Sequence, residues 1–334
     1  MNKIRWGVLG VAKIATDRVI PAMQRGQWSE ITAIASRDLD KARRAAARLG
    51  IPKAYGSYEE LLSDTEIDAI YNPLPNHLHV PWTIRAAEHG KHVLCEKPVA
   101  LSADEARQLV AVRDRTGARI QEAFMVRTHP QWLAVKALVS GGRIGEVRSM
   151  LGAFSYTNRD PANIRNRPEF GGGALMDIGC YLINTSRFIF GREPSRVTGA
   201  IERDPDMRTD RLTSILLDFG TGHAAGTCST QMVFYQHLQI FGTTGRIELP
   251  IPFNAPADRP SRIIVDTGAD LFGGGISHID VDICNQYTIQ GDLFSKAILD
   301  NTDVLSPLED AVKNMACIDA IFKSVETGRW EVPQ

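Results

Sequence analysis

The feature that most constrains this chain is a strict alternation of short β-rich runs with helical stretches up to about residue 123. Ile4–Leu9, Ile31–Ala35, Ala69–Tyr71, His92–Leu94 and Arg119–Gln121 read as strands. Residues 39–49, 80–89 and 103–115, rich in Ala, Arg, Glu and Leu, read as the helices between them. Strand, helix, strand in succession implies parallel pairing through crossover helices, hence a doubly wound sheet. Asp38 ahead of Leu39, and Ser102 with Glu105 three residues later, are helix-start signals that support this segmentation.

Beyond a further helical segment over 130–139 the grammar changes. Residues 146–156, 196–202, 212–219, 223–230, 234–241 and 246–249 look like strands joined by short connections, with one long helix among them over 174–190. That pattern predicts a largely antiparallel sheet. The expected architecture is therefore α/β: an N-terminal Rossmann-type domain over 1–123 and an α+β domain over 124–334, with the final helix, 308–326, packing on either one. Phe272-Gly273-Gly274-Gly275 reads as a loop.

The 38 basic and 39 acidic residues nearly cancel, which removes the bulk electrostatic case for nucleic acid or an anionic membrane as partner. No apolar run is long enough to span a bilayer, and the N-terminus lacks a secretory signature, so a cytoplasmic protein is expected. The five cysteines are scattered and never in CxxC spacing, so neither a disulfide framework nor a metal site is expected.

Four motifs carry chemistry. The first strand runs into Gly10-Val11-Ala12-Lys13-Ile14-Ala15, a G-x-A-x-x-A version of the dinucleotide fingerprint. Gly10 permits the tight turn, and Ala12, Lys13 and Ile14 open the helix whose N-terminus would face a pyrophosphate. An ordinary strand-to-helix turn is the competing reading. The second strand ends in Ser36-Arg37-Asp38: a Ser-Arg pair suits a 2′-phosphate and points to NADP, whereas a frame shifted to Asp38 would restore NAD. Leu74-Pro75-Asn76-His77-Leu78-His79 and Glu96-Lys97-Pro98 follow strand ends, where an open parallel sheet forms its ligand crevice. A surface ion pair is the alternative for Glu96 and Lys97. Finally, Gly171-Gly172-Gly173 precedes a helix on which Asp177, Tyr181 and Asn184, at i, i+4 and i+7, share one face. The glycines suggest close approach to something bound.

In these residues, taken in order and spacing, the chain resembles the Gfo/Idh/MocA family of NAD(P)-dependent oxidoreductases over nearly its whole length. Tyr181, where many members have His, and Phe124-Met125-Val126-Arg127-Thr128-His129-Pro130 resemble the branch of glucose–fructose and aldose–aldose oxidoreductases and of dihydrodiol and xylose dehydrogenases. The resemblance implies cofactor contacts at Gly10, Ala12, Lys13, Ile14, Ser36, Arg37, Leu74, Pro75, Asn76, His79, Glu96, Lys97 and Arg127. It also implies a homodimer or larger homo-oligomer.

Hydride transfer from an alcohol requires a group that takes the hydroxyl proton. A tyrosine, with its ordinary pKa of about 10, is a poor base alone, but a neighbouring ammonium favours its phenolate. Tyr181 is therefore the expected acid/base, Lys97 its activator and a substrate donor, and Asp177 the group that orients Lys97 or a sugar hydroxyl. The expected substrate is an aldose oxidised at C1 to a lactone. Tyr156, Arg159 and Arg165, with Asn158 and Asp160, precede the helix and are candidate pocket residues, as is Tyr287. The rival readings are redox-neutral use of bound cofactor, in coupled sugar half-reactions or glycosidic elimination, and a non-catalytic NAD(P)/sugar sensor.

Overall fold

The computed structural model describes residues 2–334. The chain divides into two compact units, Met1–Met125 with Asn285–Val312, and Val126–Cys284 with Lys313–Gln334. Asn285–Val312, expected in the second domain, groups with the first unit.

In the first unit the strands are β1 (Ile4–Leu9), β2 (Ser29–Ala35), β3 (Lys53–Tyr55), β4 (Ala69–Asn72), β5 (His92–Cys95) and β6 (Ile120–Glu122). They form one parallel sheet in the order β3-β2-β1-β4-β5-β6. The order reverses beside β1, so the carboxyl ends of β1 and β4 flank a crevice of the kind open α/β sheets use for ligands. Asp38 accepts from the Lys41 N–H at 3.0 Å and starts the helix Leu39–Leu49. Ser102 does the same for Ala103–Thr116 by accepting from Glu105 N at 3.2 Å.

The helix after β1 contains a π-turn over Ala15–Val19, where the Ile20 N–H reaches Ala15 O. Pro21 follows; it has no N–H, so the ordinary ladder is already broken there. The returning segment contributes the helix Gln286–Leu299, whose Gly291 lies so close to Met23 that a Cβ would fall 2.8 Å from Met23 Cγ. Its Phe294 packs on Trp6 in the core, ring centroids 5.5 Å apart, and Ser295 Oγ accepts from the Trp6 indole N–H at 3.0 Å.

The second unit holds β7 (Val147–Thr157), β8 (Arg196–Arg203), β9 (Asp210–Asp218), β10 (His223–Ser229), β11 (Gln231–Gly242), β12 (Arg246–Leu249), β13 (Ser261–Asp266) and β14 (Ile276–Val281). Their order is β14-β13-β12-β11-β7-β10-β9-β8, antiparallel except between β7 and β10. β13 and β14 extend the sheet beyond the strands expected from the sequence. The helix Cys180–Phe190 lies directly on this sheet because Gly152 and Gly226 leave room for Leu182: a Cβ on either would fall 2.5 or 2.8 Å from its methyl carbons. The final helix, Leu308–Thr327, packs its C-terminal half on β8, where Ser324 Oγ accepts from Gly199 N at 3.0 Å.

Removing the Ser295 hydroxyl strands a buried indole N–H. Ser295→Ala should cost about 1–3 kcal/mol, read as a lowered urea midpoint.

Candidate active site

In the first unit the turn after β1 depends on Gly10. Its φ is +84°, its N–H donates to Ala35 O at 2.8 Å, and a Cβ there would fall 3.0 Å from Leu74 Cδ2 and 3.6 Å from the Tyr58 hydroxyl. Gly10, Leu74 and Tyr58 thus border one small space at the start of the helix that Lys13 opens. Exposed Arg37 at the end of β2 hydrogen-bonds Tyr58; burial raises that phenol's pKa while the Arg37 charge opposes the rise. Ser36 is buried, with its Oγ accepting from Asp38 N at 3.2 Å. The Asp38 carboxylate is committed to its helix cap, which argues against the shifted NAD-type frame. Ala12 and Ile14 pack against the hydrophobic core, so Ile14 supports the turn from beneath.

Asn72 at the end of β4 is buried; its side chain donates to His79 O at 3.1 Å and Thr83 Oγ1 at 3.2 Å and accepts from Leu74 N at 3.3 Å. Pro75 and Asn76 follow, half-buried, at the short 3₁₀ turn Asn76–Leu78. His79 is another of the residues expected at the cofactor. It is fully buried, with Nδ1 2.7 Å from Pro98 O and Nε2 2.7 Å from Leu74 O, so it clamps two loops together. Burial lowers its pKa to about 4 against the pull of those two carbonyls, and the Lys97 charge adds to the lowering. Lys97 and Pro98 are joined by a cis peptide bond. Glu96 accepts from the buried Tyr71 hydroxyl at 2.7 Å. Burial, reinforced by the Glu96 carboxylate, pushes the Tyr287 phenol up to about 12, which sets Tyr287 beside the Glu96–Lys97 turn within this unit.

In the second unit the helix of interest starts with a π-turn over Leu175–Gly179, where Cys180 N–H reaches Leu175 O, and continues as Cys180–Phe190. Asp177 Oδ2 accepts from the Tyr156 hydroxyl at 2.6 Å and from Arg165 Nε at 3.0 Å. Burial and the Asp177 charge lift the Tyr156 phenol far above its ordinary range, so it remains a donor. One turn on, the Tyr181 ring is held by Phe154 from β7 and Phe253, with centroids 5.8 and 5.5 Å away. The glycine triplet has an internal explanation. A Cβ on Gly172 would fall 2.5 Å from Arg165 O, and one on Gly173 would fall 1.8 Å from the Asp210 carboxylate. The close approach expected of these glycines is to the chain itself.

These units match known sequences separately and together. Residues 4–124 match the oxidoreductase family with the NAD-binding Rossmann fold, and residues 132–248 match the GFO/IDH/MocA C-terminal domain. An uncharacterized oxidoreductase of Rhizobium meliloti is 47% identical over 332 residues, 99% of each chain. This chain belongs to the Gfo/Idh/MocA oxidoreductase family. D-xylose 1-dehydrogenase (NADP(+)) 2 of Haloferax volcanii is 37% identical over 325 residues, 97% of this chain and 98% of its own. Among solved structures, KijD10, a 3-ketoreductase from Actinomadura kijaniata in complex with NADP and TDP-benzene, superposes with a TM-score of 0.90 at 31% identity, covering 96% of this chain and 98% of its own.

Within this Gfo/Idh/MocA chain the expected residues are divided between the two units. Arg127, expected at the cofactor, belongs to the second unit, where its guanidinium lies 4.6 Å from the Phe188 ring centroid and donates to Asn184 Oδ1 at 3.4 Å. Asn158 and Asp160 cap turns of the loop after β7, accepting from Asp160 N and Ala162 N at 3.1 and 2.9 Å. Arg159 is exposed on that same loop. Tyr58, Phe154, Phe253 and Asp210 were not singled out by sequence reasoning. Only Tyr58 had a local signal, standing just after the helix-capping Ser57.

Acid should weaken this fold through its buried imidazoles. Burial lowers both His79 and His129 to about 4 from an ordinary 6.5, so the unfolded chain takes up protons first. Their contribution is complete above about pH 6.5 and is lost as pH falls towards 4, by roughly 3 kcal/mol for each group at the limit. Unfolding midpoints measured from pH 7 to pH 4 should fall, and His129→Gln should flatten the slope.

Proposed function

We propose that this chain is an NADP-dependent sugar oxidoreductase that oxidises an aldose, as pyranose or furanose, at C1 to a lactone. The observation that carries the reading is the Asp177 carboxylate, held by Tyr156 and Arg165 one turn before Tyr181. Such a cluster, presenting a fixed acceptor beside a phenol, suits the vicinal hydroxyls of a sugar. The likeness to a D-xylose dehydrogenase supports the same substrate class.

For the cofactor, the space that Gly10 keeps open and the helix start at Lys13 suit a pyrophosphate, and Arg37 with the Tyr58 hydroxyl suits a 2′-phosphate. Bound NADP would supply the nicotinamide that takes the hydride from C1. Tyr181 takes the C1 hydroxyl proton, the Lys97 ammonium favours the phenolate form and donates to the same oxygen, and Asp177 fixes a neighbouring hydroxyl. Tyr287, beside the Glu96–Lys97 turn, borders the reacting end of the sugar. Run in reverse, the same groups protonate a ketone. The likeness to KijD10 favours reduction of a keto sugar as the second reading. The exposed row Met232, Val233, Phe234 and Tyr235 on β11 suits an interface between copies of this chain, and we include a homo-oligomer in the proposal.

Assayed with D-xylose and other aldoses, Tyr181→Phe should lower kcat by about 100-fold or more, and wild-type turnover in that variant would refute the assignment. Arg37→Ala should raise KM for NADP by roughly 10- to 100-fold while leaving NAD kinetics in place. Equal losses with both cofactors would refute the 2′-phosphate role.

A further inference from the structure

Asp210, the first residue of β9, is 1% exposed. Its Oδ2 accepts from the Leu175 N–H and from the Thr213 hydroxyl, each at 2.7 Å. Its Oδ1 lies against Gly173, where φ is +121° and a Cβ would fall 1.8 Å away. We propose that Asp210 is the positioning residue of the helix that carries Asp177 and Tyr181, and that it works as a carboxylate. By holding the Leu175 amide and excluding any side chain at Gly173, it fixes the π-turn Leu175–Gly179, and the π-turn sets the register between Asp177 and Tyr181.

The groups around it favour neither easy ionisation nor indifference. Arg203, paired opposite it on β8, draws its pKa down, while Tyr156 of β7 and Cys228 of β10 feel both its charge and that of Asp177. Burial outweighs the hydrogen bonds and raises the Asp210 pKa to about 6. A group whose folded pKa is raised costs stability as pH climbs above its unfolded value of about 4. An asparagine would keep the acceptor for Leu175 and Thr213 and remove the charge, but it would set its amide NH2 against Gly173 where Oδ1 stands. A buried acid kept at a price in stability, at the start of the helix bearing the reacting phenol, points to a use for the charge. A proton on Asp210 would have to sit on Oδ1, against Gly173, or displace one of the two donors at Oδ2.

This inference rests on the reading of Tyr181 and Asp177 given above. With D-xylose and NADP as the probes, wild-type kcat/KM for the sugar should fall on the acid side with a midpoint near pH 6. Asp210→Asn should match wild type at low pH, lacking that limb and running at least 10-fold lower at pH 8. An Asp210→Asn enzyme with the wild-type limb and wild-type kcat/KM would overturn the proposal. Asp210→Ala, or wild type if that variant does not fold, should be compared by amide exchange over residues 174–181 with Asp210→Asn. Lower protection factors, relative to the intrinsic rate at each pH, in Asp210→Ala, or in wild type below pH 6 than above it, support the cap, and unchanged protection overturns it. Tyr181→Phe assayed alongside separates the two failures. An inactive Tyr181→Phe with an unaltered Asp210→Asn overturns the role of Asp210 alone, whereas an active Tyr181→Phe overturns the proton-transfer reading and leaves the exchange data to decide the cap.

Discussion

The two hydrogen bonds that converge on Asp177 Oδ2, from the Tyr156 hydroxyl and Arg165 Nε, set what the second unit can do. Each donor comes from a different element: Tyr156 from β7, Arg165 from the loop that the glycine triplet closes. For the three to meet, the helix must begin within van der Waals contact of the Arg165 carbonyl, which only Gly172 allows. The helix must also lie flat on the sheet, which Gly152 and Gly226 allow. A carboxylate so held cannot rotate away when a polyol arrives, so it offers a preorganised acceptor.

The first unit solves a different problem by similar means. A dinucleotide needs backbone approach at a helix start, and here Gly10 supplies the turn while Leu74 and Tyr58 bound the space over it. His79 ties the loop carrying Leu74 to the turn carrying Pro98, so the ends of β4 and β5 move as one piece. The Tyr71–Glu96 hydrogen bond anchors the residue before Lys97 to the same strands. Lys97 therefore stands on a turn fixed from both sides.

The fold was legible where periodicity was strong. The strands β1, β2, β4 and β5 and the helices capped by Asp38 and Ser102 follow directly from alternation and caps. What stayed hidden depends on tertiary contact. Gln286–Leu299 contains Gly291, a weak helix former, and exists because that glycine nests on Met23. β14 is exposed along nearly its whole length, so no buried face marks it in the sequence. At the site, Asp177, Tyr181, Arg165 and Tyr156 carried their signal in spacing and polarity. Asp210 and Phe253 reach the same helix from strands and loops distant in sequence, and no local pattern announces a residue whose partner lies tens of positions away. His79 was legible as part of a motif, while its clamping role needed both carbonyls in view.

The most direct test is to add a panel of aldoses, D-xylose first, to freshly purified protein with NADP, follow nicotinamide reduction, and identify the sugar product by NMR. NADPH formation with an aldose, with the C1 lactone as product, is the expected result. Absence of reduction with every aldose, together with NADPH consumption by a keto sugar, would contradict the C1 oxidation and establish the reverse chemistry instead.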